Sequence, residues 1–293
     1  MLPTIHGACL CGAIAFSVAP LYRWFAHCHC SMCRKQHGSL FATSLGVARE
    51  AFRWLGGADG IVHYRATSAF ERPFCRRCGS SVPAVSHDER YWHVPAGLLD
   101  GDLGARPRAH IFAASRPPFY ELDDDLPRHE AYPPGIALPP VDPQRTHDAA
   151  AAVGGSCLCG AVAFTTAVAP RRLVNCYCSL CRRSRAAAFS STLLVPAEAF
   201  RWTAGAERVR GYALPAPRRY TTEFCADCGS LAPSAPAGSS TVMLPAGAVD
   251  TPLSRLPAVH LYVGSKAAWY DIRDAWPQFA ELPPPERFSD VFL

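Results

Sequence analysis

Residues 28–38, CHCSMCRKQHG, set three cysteines within six positions, and residues 176–186, CYCSLCRRSRA, repeat that arrangement 148 positions later. Outward from these runs the same offset relates Cys9 and Cys11 to Cys157 and Cys159, while Cys75 and Cys78 recur 150 positions on as Cys225 and Cys228. The fourteen cysteines are therefore two sets of seven, with one two-residue insertion between Tyr212 and Phe224. GACLCGAIAF at 7–16 matches GSCLCGAVAF at 155–164, EAFRW at 50–54 recurs at 198–202, and His110, Ser115 and Tyr120 recur as His260, Ser265 and Tyr270. The chain reads as a tandem duplication: one domain over 1–132, a Pro- and Ala-rich linker over 133–153, and a second domain over 154–293.

Composition fits that division. A chain of 293 residues suits two domains of ordinary size. With 49% apolar and 18% charged residues it can build a core and is not a disordered chain. The 27 prolines and 21 glycines favour short elements joined by turns and exclude collagen, coiled coil and long helical bundles. No run approaches the ~18 apolar residues of a membrane-spanning helix. The opening MLPTIHGACLCG lacks the basic-then-apolar pattern of a secretory leader, which sets the expectation of a cytoplasmic protein with reduced thiols. The net charge of +5 comes from scattered arginines, Lys35 and Lys266 being the only lysines, and an acidic run occupies Asp123, Asp124 and Asp125. That pattern argues against a nucleic-acid partner.

Two chemistries compete for the cysteines. A disulfide framework would leave one thiol over in each set of seven. Metal binding suits the spacings better. Cys75, Cys78 and Gly79 form a C-x-x-C-G knuckle, whose glycine permits the left-handed turn that brings both sulfurs to one ion. The C-x-C of Cys9 and Cys11 puts two sulfurs on one side of an extended segment. Structural zinc takes four ligands, and catalytic zinc keeps three with one place open. Seven thiolates divide as four plus three. Cys9, Cys11, Cys75 and Cys78 are assigned to a closed site, and Cys28, Cys30 and Cys33 to an open one. In the second domain Cys157, Cys159, Cys225 and Cys228 match the first group, and Cys176, Cys178 and Cys181 the second. The expected cofactor is zinc, up to two ions per domain, although the spacings leave other pairings of these half-sites open.

The local patterns predict a mainly β chain. GAIAFSV, LFATSLGV, IVHYRA, YWHVPAGLL and AHIFAA are short β-rich runs cut by Gly, Pro, Asp and Ser. Only SMCRKQHG and SLCRRSRA predict a helical turn. Phe16, Phe41, Phe52, Trp54 and Tyr64 all have aromatic counterparts in the second domain and are expected in the core.

The run G-x-C-x-C-G, then CHCSMCRKQHG, FCRRCGS, AGLLD and HIF…SRPPFYEL, resembles the glutathione-dependent formaldehyde-activating enzymes, a family also named for centromere protein V. The resemblance covers both repeats. It implies an Mss4-like fold of small antiparallel sheets pinned by zinc, and a carbon–sulfur lyase activity that condenses formaldehyde with glutathione to S-hydroxymethylglutathione. The family's four-Cys structural and three-Cys catalytic zinc carry over onto the positions assigned above. The implied partners are a small thiol and a small aldehyde.

Three thiolates leave zinc able to accept a fourth sulfur, so a glutathione thiol could enter, lose its proton and attack the aldehyde carbon. Arg34 and Lys35 are candidates to hold glutathione carboxylates, or else to balance the thiolate charge. Ten of the 11 histidines lie in residues 1–147. Beside the open site His27, His29 and His37 become Asn175, Tyr177 and Arg185, so the first repeat is expected to be the active one, with His29 the first choice for acid or base. His110 and His260 are the one histidine pair kept in both repeats. They read as a fourth ligand or substrate contact, or as strand-end histidines bonded to backbone. Glu121 and Asp271 are expected on solvated faces. Two other functions compete: a zinc-stabilised binding module whose three-Cys sites are closed by a residue such as His110, and methionine sulfoxide reduction, which lacks a free non-ligand cysteine. The two units could also fold against each other as an intramolecular pseudo-dimer.

Overall fold

Strands of two to seven residues, two short α-helices and several single 3-10 turns make up the regular structure among the described residues, which in this computed structural model are 4–136, 153–218, 220–236 and 238–288. Residues 137–152, most of the expected linker, lie outside the described residues. The first repeat contains β1 (Ile5–Ala8), β2 (Ala15–Val18), β3 (Tyr22–Cys28), α1 (Ser31–His37), β4 (Ala42–Ala48), β5 (Phe52–Gly56), β6 (Ile61–Arg65), β7 (Glu71–Cys75), β8 (Ala84–Val85), β9 (Tyr91–Pro95) and β10 (His110–Ile111). The second contains β11 (Val153–Ser156), β12 (Ala163–Thr166), β13 (Leu173–Cys176), α2 (Ser179–Arg185), β14 (Ser190–Pro196), β15 (Phe200–Ala204), β16 (Val209–Ala213), β17 (Thr221–Cys225), β18 (Thr241–Pro245) and β19 (Ala258–Leu261).

Each repeat makes a three-stranded sheet (β1-β2-β5, then β11-β12-β15), a hairpin (β6-β7, then β16-β17) and a larger sheet. The larger sheets run β10-β3-β4-β9-β8 and β18-β14-β13-β19. Pairing is antiparallel except where β10 joins β3 and β19 joins β13. The mainly β expectation holds, and α1 and α2 sit where the two helical turns were predicted. Phe16, Phe41 and Phe52 are buried as expected, while Trp54 and Tyr64 are half-buried at the edge of the core.

Alternation along β3 gives its sheet two unlike faces. Successive side chains of a strand point to opposite sides. Trp24, Ala26 and Cys28 therefore share one face, and Phe25 and His27 the other. The second face packs on the second repeat: Phe25 lies 5.7 Å from Trp269 and Phe41 meets Phe189 edge-on at 5.4 Å between ring centroids. One hydrophobic cluster, including Phe41, Leu45, Leu98, Phe189, Leu193 and Trp269, runs through both repeats.

The contacts between repeats recur with the partners exchanged. Lys35 pairs with Asp250 at 2.6 Å, and the residues at the matching positions, Arg183 and Asp100, pair in turn. Lys35 Nζ also donates to Ser156 O at 2.8 Å, as Arg183 Nη1 does to Ala8 O at 2.9 Å. Phe74 and Phe224, themselves counterparts, meet each other at 6.3 Å. Such reciprocity is what an isologous contact produces. Two glycines allow the close approach: a Cβ at Gly97 would fall 2.2 Å from Ala187 O, and one at Gly247 would fall 2.1 Å from Arg34 O.

Candidate metal centres and cavity

The four sulfurs of Cys9, Cys11, Cys75 and Cys78 all lie within 4.8 Å of one another, and so do those of Cys157, Cys159, Cys225 and Cys228. Cys9 and Cys11 Sγ are 3.4 Å apart and Cys11 and Cys75 Sγ 3.7 Å apart; the matching distances in the second repeat are 3.3 and 3.8 Å. A tetrahedral zinc with bonds of about 2.3 Å spaces its sulfurs about 3.8 Å apart. The donors thus stand near the corners of a zinc tetrahedron, and none of the fourteen cysteines is disulfide-bonded. Local structure fixes this. The Ile14 N–H donates to Cys9 Sγ at 3.3 Å, bending the chain around the first pair. Gly79, at φ +72°, turns the knuckle after Cys78. Mutual contact makes the thiols ionise unequally. Cys11, with Cys75 and Cys78, pushes Cys9 far up, while Cys11 and Cys75 hold Cys78 far down. A divalent cation neutralises the charge of such a group.

The second kind of cluster is built at a strand-to-helix junction. Cys28 ends β3, and Cys30 caps α1, its sulfur accepting the Cys33 N–H at 3.4 Å. Cys178 and Cys181 repeat this cap at 3.4 Å. Each trio, Cys28/Cys30/Cys33 and Cys176/Cys178/Cys181, has its sulfurs within 4.8 Å of one another. Contact with Cys28 and Cys30 holds the Cys33 thiol well below its ordinary range, and contact with Cys30 drives Cys28 well above it. Three soft donors on one side fit zinc with a fourth position left to another ligand.

In the first repeat that position faces a cavity of about 140 Å³. The parity of β3 brings Trp24, Ala26 and Cys28 to it together; Gln36 and His37 from α1, Arg72 and Glu71 from β7, His93 from β9 and Tyr132 are among its polar residues, and Phe70 and Phe112 among the apolar ones. Arg72 Nη1 lies 3.5 Å from Cys33 Sγ. His37 Nδ1 donates to Arg185 O of the second repeat at 2.7 Å, which fixes the tautomer and the ring. Burial lowers the pKa of His37, and lowers that of His93 to about 4, so both rings are neutral near pH 7.

The structure does not bring every expected residue here. His29 lies between two cavity-facing cysteines and so points to the opposite face. It is fully buried, with Nε2 2.8 Å from His110 Nδ1, and is absent from the cavity wall. Burial, then the neighbouring His110, holds its pKa well below the ordinary value. Lys35 is also turned away. Its ammonium is buried on Asp250 and Ser156, so no substrate carboxylate reaches it. Arg34 is 2% exposed and donates from Nε to His29 O at 3.2 Å, a position that suits balancing thiolate charge rather than gripping a ligand. His110 closes neither cluster, because its second nitrogen is 3.0 Å from the Asp124 carboxylate. In the second repeat Asp274, His260 and the Tyr177 hydroxyl make the same chain at 2.9 Å each. Glu121 and Asp271 reach Arg255 and Arg106 at the surface, across the two repeats. Arg72, His93, Gln36 and Tyr132 were not singled out from sequence. The readable signal was their loss in the second repeat, where Thr222, Met243, Ser184 and Leu282 take their places.

The sequence model of the family described as glutathione-dependent formaldehyde-activating enzyme matches residues 4–115 and 152–265, one match per repeat. A Halomonas elongata protein described as "Putative glutathione-dependent formaldehyde-activating enzyme" is 32% identical over 130 residues, covering 41% of this chain and 81% of that protein. A crystal structure of a Rhodobacter sphaeroides protein is 25% identical, covers 33% of this chain and 88% of its own, and superposes with a TM-score of 0.29.

Proposed function

The chain belongs to the glutathione-dependent formaldehyde-activating enzyme family, and from that premise we propose that its first repeat joins a glutathione-like thiol to formaldehyde or another small aldehyde, a carbon–sulfur lyase-type reaction. The observation that supports this most is the cavity set directly against Cys28, Cys30 and Cys33.

Zinc held by these three sulfurs would lower the pKa of a fourth sulfur and present it as a nucleophile. The chain's own groups do the rest. Trp24, Phe70 and Phe112 keep the cavity apolar around a one-carbon electrophile. His37, neutral and anchored on Arg185, takes the thiol proton on its other nitrogen. The S–C bond forms as the carbonyl π pair moves to oxygen, and His37 returns the proton to that oxygen. In the second repeat Arg185 stands in place of His37 and Met243 in place of His93. That repeat therefore serves as a metal-holding support, and the two domains, 1–132 and 154–293, act as an intramolecular pseudo-dimer of Mss4-like units. Fourteen cysteines without a disulfide fit a reducing, cytoplasmic setting.

The test is the rate of hemithioacetal formation from glutathione and formaldehyde with fully zinc-loaded chain. A rate above the spontaneous one is expected, and a rate equal to that of protein-free buffer removes the proposal.

A further inference from the structure

Two trios of cysteines with the same geometry differ in the residue that the neighbouring hairpin sets beside them. In the first repeat the β6-β7 hairpin carries Arg72 to the sulfurs, with Nη1 3.5 Å from Cys33 Sγ. Its Nε is buried without a hydrogen-bond partner, although the residue lines the cavity. The neighbouring carboxylate, Glu71, which also borders the cavity, is taken by Arg65 at 2.8 Å and His63 at 3.1 Å. Among the described residues Arg72 has no ion pair with a carboxylate, so the sulfurs are its counter-charge. In the second repeat the matching residue is Thr222, a buried neutral hydroxyl that accepts from Ser184 Oγ at 3.1 Å.

Charge arithmetic gives this difference a consequence. Three thiolates around a divalent cation leave one negative charge, and an incoming thiolate raises it to two. In a partly desolvated site that addition is costly unless a cation stands close. We propose that Arg72 enables the Cys28/Cys30/Cys33 centre to accept an anionic fourth ligand: its guanidinium, 3.5 Å from Cys33 Sγ, offsets the charge that an incoming thiolate adds. Arg72 is thus a positioning residue that acts through Cys33. This rests on the proposed reading of the cavity as the thiol site.

The experiment uses the full chain loaded with Co²⁺ and follows its visible bands during titration with glutathione and, separately, with imidazole as a neutral ligand. The wild type is expected to saturate with glutathione at one trio. Arg72→Met should weaken glutathione binding by about tenfold or more, leave imidazole binding nearly unchanged and keep the metal content. Arg72→Lys should recover part of the loss. Where Arg72→Met fails to hold metal, Arg72→Gln tests the same removal of charge. Equal glutathione affinity in wild type and the neutral variants overturns the role of Arg72 while leaving the thiol site standing. A wild-type spectrum that ignores glutathione overturns the thiol site itself, and this inference with it.

Discussion

Lys35 Nζ lies 2.6 Å from Asp250 Oδ1, a buried ion pair whose partners come from different repeats. Both side chains are almost wholly enclosed, and the ammonium is further satisfied by Ser156. A charge left alone in such a place has no water to turn to. Lys35→Met is therefore expected to destabilise the chain by roughly 3–5 kcal/mol, measured by denaturant unfolding at full zinc loading. The double variant Lys35→Met/Asp250→Leu should recover most of that. A double variant as unstable as the single one would mean that the pair does more than cancel its own charges.

The approach of the repeats at Gly97 makes a second prediction. A methyl there meets Ala187 O at 2.2 Å, a backbone atom that cannot swing aside. Gly97→Ala should cost about 1–3 kcal/mol as the interface is forced apart. Gly60→Ala, where nothing lies within 4 Å, should stay within about 0.5 kcal/mol of wild type. Equal melting temperatures for the two variants would mean that the repeats do not meet in this way.

The two kinds of cluster should respond differently to loss of one sulfur. Cys75 belongs to a buried four-sulfur centre that ties β7 to the turn after β1, so Cys75→Ser should lose about one of four metal equivalents and unfold its repeat on mild heating. Cys30→Ser should lose a similar amount of metal, keep most of its fold and lose the reaction. Metal analysis with circular-dichroism melting separates these outcomes. Identical melting curves for the two variants would remove the division into structural and reactive centres.

The clusters were legible because metal ligation writes itself into spacing: the pairs Cys9/Cys11 and Cys75/Cys78 are short local motifs, and duplication printed them twice. The short strands and both helical turns were legible for the same local reason. Lys35 was not. Beside a cysteine cluster it reads as a solvent-facing cation, and only the distant Asp250 of the other repeat makes burial tolerable, which no local pattern encodes. Arg72 and His93 reach the cavity from strands far along the chain from Cys28, so their place depended on sheet register rather than on any motif.

His29 was misplaced for a simpler reason, and this yields the sharpest mutational test. In C-x-C the two cysteines share a face and the middle residue takes the other, so Cys28 and Cys30 on the cavity put His29 in the core, against His110. The second repeat has already made the substitution: Tyr177 fills the matching position, 1% exposed, with its hydroxyl 2.9 Å from His260 Nδ1. His29→Tyr should therefore keep the bond to His110, keep all metal and retain turnover within a few-fold, with about 1–3 kcal/mol lost to tighter packing. His29→Ala, which leaves a void and an unpartnered His110 nitrogen, should cost about 3 kcal/mol and yet leave the rate of folded protein near normal. His37→Gln should do the reverse, lowering turnover by roughly 10²–10⁴-fold with metal retained. Loss of turnover in folded, fully metallated His29→Tyr would return the proton-transfer role to His29 and take it from His37.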